Sequence, residues 1–144
     1  MKIKEANFQS EFGQRNDVVG IFELKLAKTN RLPFSAIKEH QERALLQANS
    51  GAGLYHKISD APFFKDEKKR MRFTKPKPFD CMFLKNIPAY VVVMFWESRK
   101  KKMVYLISIK DFIKMREESE KKSFSEAEAE DYSEIIVDYM KKVE

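Results

Sequence analysis

The sequence predicts a single α/β domain with a central sheet flanked by helices. Stretches with apolar residues at helical spacing alternate along the chain with short runs rich in branched and aromatic residues, the pattern of strands joined by helices. The run from Ala89 to Trp96 is almost continuously apolar, as expected of a strand buried on both faces. At 144 residues with 43% hydrophobic content, the chain suits one domain with a core of its own.

Taken in order, Ile3 to Arg15 carries Ile3, Ala6, Phe8 and Phe12 at mixed helical spacing and reads as a short amphipathic helix ended by Gly13. Glu11 lies on it, on a solvated face or reaching toward a site. Asp17 reads as a turn residue, or as an acid preceding the next strand, Gly20 to Leu26. A basic loop from Ala27 to Phe34 follows, containing Lys28, Thr29 and Arg31. Ser35 then reads as the N-cap of a helix whose inner stripe is Ile37, Gln41, Ala44, Leu45 and Ala48, ending near Asn49-Ser50-Gly51.

Gly53 to Ile58 reads as a strand, and Pro62 to Pro78 has no periodicity. Pro78 to Leu84 is a strand with Asp80 at its head. It turns at Lys85-Asn86-Ile87-Pro88 into the apolar run, and a basic turn at Arg99-Lys100-Lys101-Lys102 leads to a strand over Met103 to Ile109. A helix is expected from Lys110 to about Lys121. A second opens at the capping box Ser125-x-x-Glu128, with Ala129, Tyr132, Ile136, Tyr139 or Met140, and Val143 as its stripe. The expected organisation is a body over residues 1–122 and a C-terminal helix over 123–144 that packs on the core or on a dimer partner.

Charge and composition narrow the function classes. Lys and Arg outnumber Asp and Glu 28 to 22, for a net charge of +6, which tilts the expected partner toward polyanions. Since the chain from Glu117 onward is acidic, the body before it is more basic than the total. One cysteine and two histidines allow no intramolecular disulfide and no zinc-finger spacing. No glycine-rich phosphate loop or cofactor motif appears. No signal peptide opens the sequence, and its longest apolar run is too short to span a bilayer. The expectation is a cytoplasmic protein, in the nucleoid or in a host cytoplasm if phage-encoded, without a membrane partner.

The chemistry-bearing stretch is Gly20-Ile21-Phe22-Glu23-Leu24-Lys25-Leu26. In a strand, residues two apart share a face, so Glu23 and Lys25 stand side by side while Phe22, Leu24 and Leu26 point the other way. Charges inside an apolar run cost several kcal/mol unless paired, hydrogen-bonded or metal-bound. An ion pair on a sheet surface satisfies that requirement. So does a carboxylate that ligates Mg²⁺ beside an ammonium that meets phosphate, the needs of metal-assisted phosphodiester cleavage. The helix after this strand must pack back across it, which brings Gln41 toward Lys25, where its amide could orient a water or a phosphate. Asp80 is either a local backbone cap or a second carboxylate for the same cation.

Lys65, Lys68, Lys69, Arg70, Arg72, Lys75 and Lys77 interleave with Phe63, Phe64 and Phe73 in the aperiodic segment. That composition suits a solvated loop. It also suits a nucleic-acid clamp that neutralises phosphates and stacks on bases, reading backbone and shape in the absence of a base-reading motif.

Phe22-Glu23-Leu24-Lys25, then Thr29, then Leu32-Pro33-Phe34-Ser35-Ala36-Ile37-Lys38-Glu39-His40-Gln41, resembles the RecU-like Holliday junction resolvases, a branch of the PD-(D/E)xK nucleases. Ala89 to Phe112 resembles that family's closing pair of strands. Lys77-Pro78-Phe79-Asp80-Cys81 with Leu54-Tyr55-His56-Lys57-Ile58-x-Asp60 is similar to small phage-type and archaeal resolvase-like relatives. The resemblance covers roughly residues 7 to 113.

The resemblance implies a restriction-endonuclease-like core with a central mixed sheet and an acid triad around Mg²⁺, with Mn²⁺ as its substitute. Glu23 becomes a metal ligand, and Lys25 positions the attacking water or stabilises charge on the phosphate. In the family an acid precedes Glu-x-Lys by about ten residues, whereas here only Asp17 precedes it. Asp80 is therefore the preferred migrated ligand, Asp17 and Asp60 are alternatives, and Glu11 is a helix-borne fourth. The implied catalytic set is Glu23, Lys25, Asp80 and Gln41, the metal set Glu23, Asp80 and Glu11. DNA contacts come from Lys28, Thr29, Arg31, Lys68, Lys69, Arg70, Arg72, Lys75 and Lys77. The implied activity is paired nicking of four-way junctions by a homodimer. Related readings are a nuclease for other branched or foreign DNA, and a non-catalytic DNA-binding module.

Overall fold

The computed structural model describes Glu5, Phe8, Gln9, Phe12 and residues 18–57 and 80–139. Expectations that fall on other residues, namely Glu11, Asp17, Asp60 and the basic segment with Lys68, Lys69, Arg70, Arg72, Lys75 and Lys77, lie outside the described residues. Glu5, Phe8, Gln9 and Phe12 are helical.

The first strand, β1 (Ile21–Ala27), leads through the short β2 (Arg31–Pro33) and a 3-10 turn over Phe34–Ala36 into helix α1 (Glu39–Asn49). A hairpin, β3 (Leu54–Lys57) with β4 (Cys81–Leu84), follows. Next come β5 (Ala89–Phe95), β6 (Met103–Ser108), α2 (Ile109–Glu118), β7 (Ser123–Ser125), α3 (Glu126–Tyr132) and β8 (Ile135–Asp138). The main sheet runs β1-β5-β6-β8. β1 pairs parallel with β5, while β5 with β6 and β6 with β8 pair antiparallel, so the sheet is mixed. A single small α/β domain with a mixed sheet is thus as expected at class level, and residues 18–139 contribute three of its helices.

β5 sits in the middle with every residue buried. Because side chains alternate across a strand, its two faces feed two cores. Ala89, Val91, Val93 and Phe95 join Leu45 of α1, Phe112 and Met115 of α2, Phe124 of β7 and Ala129 of α3. Tyr90, Val92 and Met94 join Phe8, Phe12, Leu24, Leu26, Leu106 and Tyr139. Each Val, Leu, Met or Phe side chain among them taken fully out of water contributes about 1.5 to 3 kcal/mol. The first core is tied by aromatic contacts, with Phe124 meeting Phe34 at a tilt and Phe95 and Phe112 edge-on, at ring separations of 5.1, 6.1 and 6.1 Å.

Two expectations are corrected. Ser35 is not the N-cap of the helix after β1: it lies in the 3-10 turn, and α1 starts at Glu39 behind Lys38. The 3-10 turn follows from Phe34, whose ring is buried and whose amide is bonded to the Lys122 carbonyl at 3.0 Å, holding the chain back from the helix. The strand expected over 53–58 is present as β3. Within the described residues it is half of the separate, mostly exposed β3–β4 hairpin.

The second correction concerns the C-terminal segment, which is not one helix. The capping box forms as expected, with Ser125 Oγ accepting from the Glu128 amide at 3.3 Å and a Glu128 carboxylate oxygen accepting from the Ser125 amide at 2.8 Å. The helix nevertheless ends at Tyr132, and the β-branched run Ile135-Ile136-Val137 adds β8 to the sheet beside β6. Residues 123–138 therefore belong to the same packed body as the rest. Among the described residues, no helix is long and apolar enough to cross a membrane.

Candidate active site at Glu23 and Lys25

The placement of Glu23 and Lys25 follows from strand alternation. Phe22, Leu24 and Leu26 face the core that holds Phe8 and Phe12, so Glu23 and Lys25 share the opposite, helix-covered face with Ile21 and Ala27. They stand opposite Val91 and Val93 of β5 in register. Among the described residues β1 is the edge of the main sheet, so the two charges keep an open side while the rest of their face is packed. Lys25 Nζ lies 3.0 Å from Glu23 Oε1, with about one-sixth and one-quarter of the two side chains exposed.

α1 closes the site from above. The β1-α1-β5 connection is a crossover between parallel strands, which forces the helix to run back over the sheet. Gln41, Leu45 and Ala48 are spaced to share one helix face; Leu45 and Ala48 enter the core, and Gln41 reaches the charged pair. Its Nε2 donates to Glu23 Oε1 at 2.8 Å, and its Oε1 accepts from the Lys38 amide at 2.8 Å. The second bond fixes which end of the amide faces the carboxylate, so Gln41 presents a donor. Glu23 Oε1 is held between an ammonium and an amide N–H.

The neighbouring helical residue is fixed as firmly. Glu42 accepts from both guanidinium nitrogens of Arg116 at 2.6 and 2.9 Å, joining α1 to α2. The Arg116 hydrogen bond is the main reason the Glu42 carboxyl sits below its ordinary range, against the opposing effect of burial. The sequence predicts α2 from Lys110 to about Lys121 as a cover for the sheet or a dimer partner, with no chemistry on it. Arg116, following the buried Met115 near the end of that helix, was the available signal for a contact to α1.

The remaining site candidates are distributed as follows. Asp80 stands exposed at the head of β4, in the β3–β4 hairpin. That hairpin is tied to the far end of α1 from Gln41: Asn86 and Ile87 donate to the Ser50 and Ala48 carbonyls at 3.1 and 3.0 Å. Thr29 Oγ donates to the Arg31 carbonyl at 2.8 Å and closes the loop after β1. Arg31 turns inward, its Nε donating to Ser123 Oγ at 2.8 Å and its guanidinium pairing with Glu128 at 3.2 Å, so it serves the β2–β7 ladder. Lys28 is exposed. His40 is exposed as well, beside Gln41 but outside the bonds just described.

The donor chemistry bears on the implied Mg²⁺. Hard cations take oxygen ligands, and Mg²⁺ keeps several waters when one or two carboxylates hold it. The Glu23 carboxylate, oriented by Gln41, is an oxygen donor of the kind a hydrated cation takes, with Lys25 and Gln41 both on its Oε1. Among the described residues no group of three or more His, Cys, Asp and Glu side chains is arranged to hold a metal, so a protein cage is not formed from them.

No family model, curated protein or solved structure matches the chain.

Proposed function

We propose that the chain is a metal-dependent, structure-specific DNA endonuclease that resolves four-way junctions, on a restriction-endonuclease-like core. The observation that carries this reading is the arrangement around Glu23: a carboxylate oxygen at the sheet edge, held at 3.0 Å by the ammonium of its strand neighbour Lys25 and at 2.8 Å by the Gln41 amide. The order Glu-x-Lys strand, crossover helix, parallel strand, antiparallel strand supports the same reading.

Glu23 would hold the cation and waters would complete its shell, since Asp80 stands on the hairpin tied to the other end of α1 from Gln41. Bound there, a divalent ion lowers the pKa of a ligated water and offsets charge on the leaving oxygen. Gln41 keeps the Glu23 carboxylate in one orientation, which a half-buried edge position alone does not do. Lys25 places a positive charge where a scissile phosphate would approach the edge of β1, offsetting the negative charge that builds as the bond to the attacking oxygen forms. Two symmetric nicks on a junction with near two-fold symmetry call for two sites at a fixed spacing, hence a C₂ homodimer.

A second reading is a DNA-binding module without cleavage. It is favoured by the closed Glu23–Lys25 ion pair and by the lack of a three-carboxylate cluster among the described residues. Incubating labelled four-way junction, flap and linear duplex with the chain, in Mg²⁺ and in EDTA, separates the readings. Paired nicks on the junction alone, lost in EDTA, support resolution. Cutting of flaps instead supports a related nuclease, and junction binding without cutting supports the module.

A further inference from the structure

The turn between β5 and β6 brings three exposed cations, Arg99, Lys100 and Lys101, to one end of the sheet. That end is the one at which the two parallel strands finish. The Trp96 amide donates to the Ala27 carbonyl at 2.8 Å, so the turn starts beside the loop that carries exposed Lys28. Lys28 lies three residues beyond Lys25, roughly 10 Å along the strand direction. Ligands of open α/β sheets gather outside the carboxyl ends of parallel strands.

The turn is built rather than merely basic. Lys102, the fourth cation of the run, is buried: its ammonium lies 4.9 Å from the Trp96 ring centroid and donates to the Lys100 carbonyl at 2.6 Å. This internal anchor fixes the loop and directs its neighbours outward. Arg99 is held at φ 64°, a left-handed backbone that glycine adopts freely and a long side chain does not. Among the described residues the acids at this end are Glu97, 2.6 Å from Lys100, Asp138 of β8, 3.2 Å from Lys101, and Glu126, whose charge also acts on Lys100. Three described acids meet four outward cations, Lys28, Arg99, Lys100 and Lys101, and a positive surplus remains.

We propose that this end of the sheet is the surface that tracks the nucleic-acid backbone, with Lys28, Arg99, Lys100 and Lys101 as its phosphate contacts. The assignment rests on the DNA reading above and goes beyond it by naming a surface apart from Glu23 and Lys25. It requires no base recognition: lysines and an arginine on a fixed turn position a duplex arm without reading its sequence. The left-handed Arg99 then has a reason, since a glycine there would relax the turn and remove a contact.

The test measures binding of a labelled four-way junction and a linear duplex across a range of KCl concentrations, using full-length chain carrying Glu23→Gln so that no DNA is cut. Adding Arg99→Ala, Lys100→Ala and Lys101→Ala together is expected to weaken both DNAs alike and to reduce the salt slope by roughly one per lost contact, so by about three. Arg99→Gly alone is expected to lower the slope by about one while leaving the thermal midpoint unchanged or raised. A triple variant that binds with the parent's affinity and slope overturns this surface and leaves the DNA reading intact. A parent that binds neither DNA overturns both, and a parent that binds phosphatidylserine vesicles as tightly as DNA overturns the choice of nucleic acid.

Discussion

Gln41 donates its side-chain N–H to Oε1 of Glu23 across 2.8 Å, from the first turn of a helix to the middle of a strand. Because the other end of the amide is bonded to the Lys38 backbone, the donor cannot rotate away without losing a second hydrogen bond. Gln41→Leu keeps the helix and removes both. If Gln41 positions a reacting carboxylate, the variant should cut junctions roughly 10- to 100-fold more slowly at saturating DNA, with binding little changed. Single-turnover cleavage read beside anisotropy binding checks this split.

The Glu42–Arg116 pair adds stability with a definite pH sign. The folded-state pKa of Glu42 lies below its ordinary 4.5, chiefly through the Arg116 hydrogen bond. The contribution is therefore complete above about pH 4.5 and lost as pH falls through the lowered folded value. Glu42→Gln should cost about 1 kcal/mol at neutral pH, a figure kept small because the Arg116 side chain is more than one-third exposed. Urea titrations at neutral pH and near pH 3 should show the difference from wild type shrinking in acid.

Phe124 holds together elements far apart in sequence, since its ring meets Phe34, Phe95 and Phe112 and is fully buried. Phe124→Ala should destabilise the domain by about 3 to 5 kcal/mol through lost burial and the cavity left behind. Chemical denaturation measures it directly.

β8 makes the C-terminal segment part of the sheet. Ending the chain after Tyr132 would remove the strand that covers the β6 edge, and expose Val104 and Leu106, now buried. The shortened chain is expected to aggregate or to melt at least about 10 °C lower, since loss of a few kcal/mol shifts the midpoint of a domain this size by that much. A segment that merely docked on a finished core would leave the midpoint nearly unchanged.

The parts of the fold that could be read from sequence were those where one local pattern had one interpretation. Ala89 to Phe95 has no polar face, so it had to be central, and the alternation around Glu23 and Lys25 set their shared face once the strand was recognised. Gln41 could be placed because Leu45 and Ala48 mark its helix face. By contrast, Ile135-Ile136-Val137 following Ala129 and Tyr132 fits a continuing helical stripe as well as a strand, and pairing with β6 decided between them. The run Arg99 to Lys102 has no periodicity that shows which cation turns inward, and the Trp96 ring selected Lys102. Asp80 followed the register of a hairpin that pairs Lys57 with Cys81 and Leu54 with Leu84, far apart in the chain, a pairing that no local signal encodes.

The most direct test of the account is cleavage of a labelled four-way junction in Mg²⁺ by wild type, Glu23→Gln and Lys25→Ala, with junction binding measured on the same preparations. The account expects wild type to place paired nicks, and both variants to bind the junction while cutting it at least about 100-fold more slowly. Undiminished cutting by Glu23→Gln, or no cutting by a wild type that binds the junction, would contradict it and leave Glu23 and Lys25 as an ion pair at the edge of the sheet.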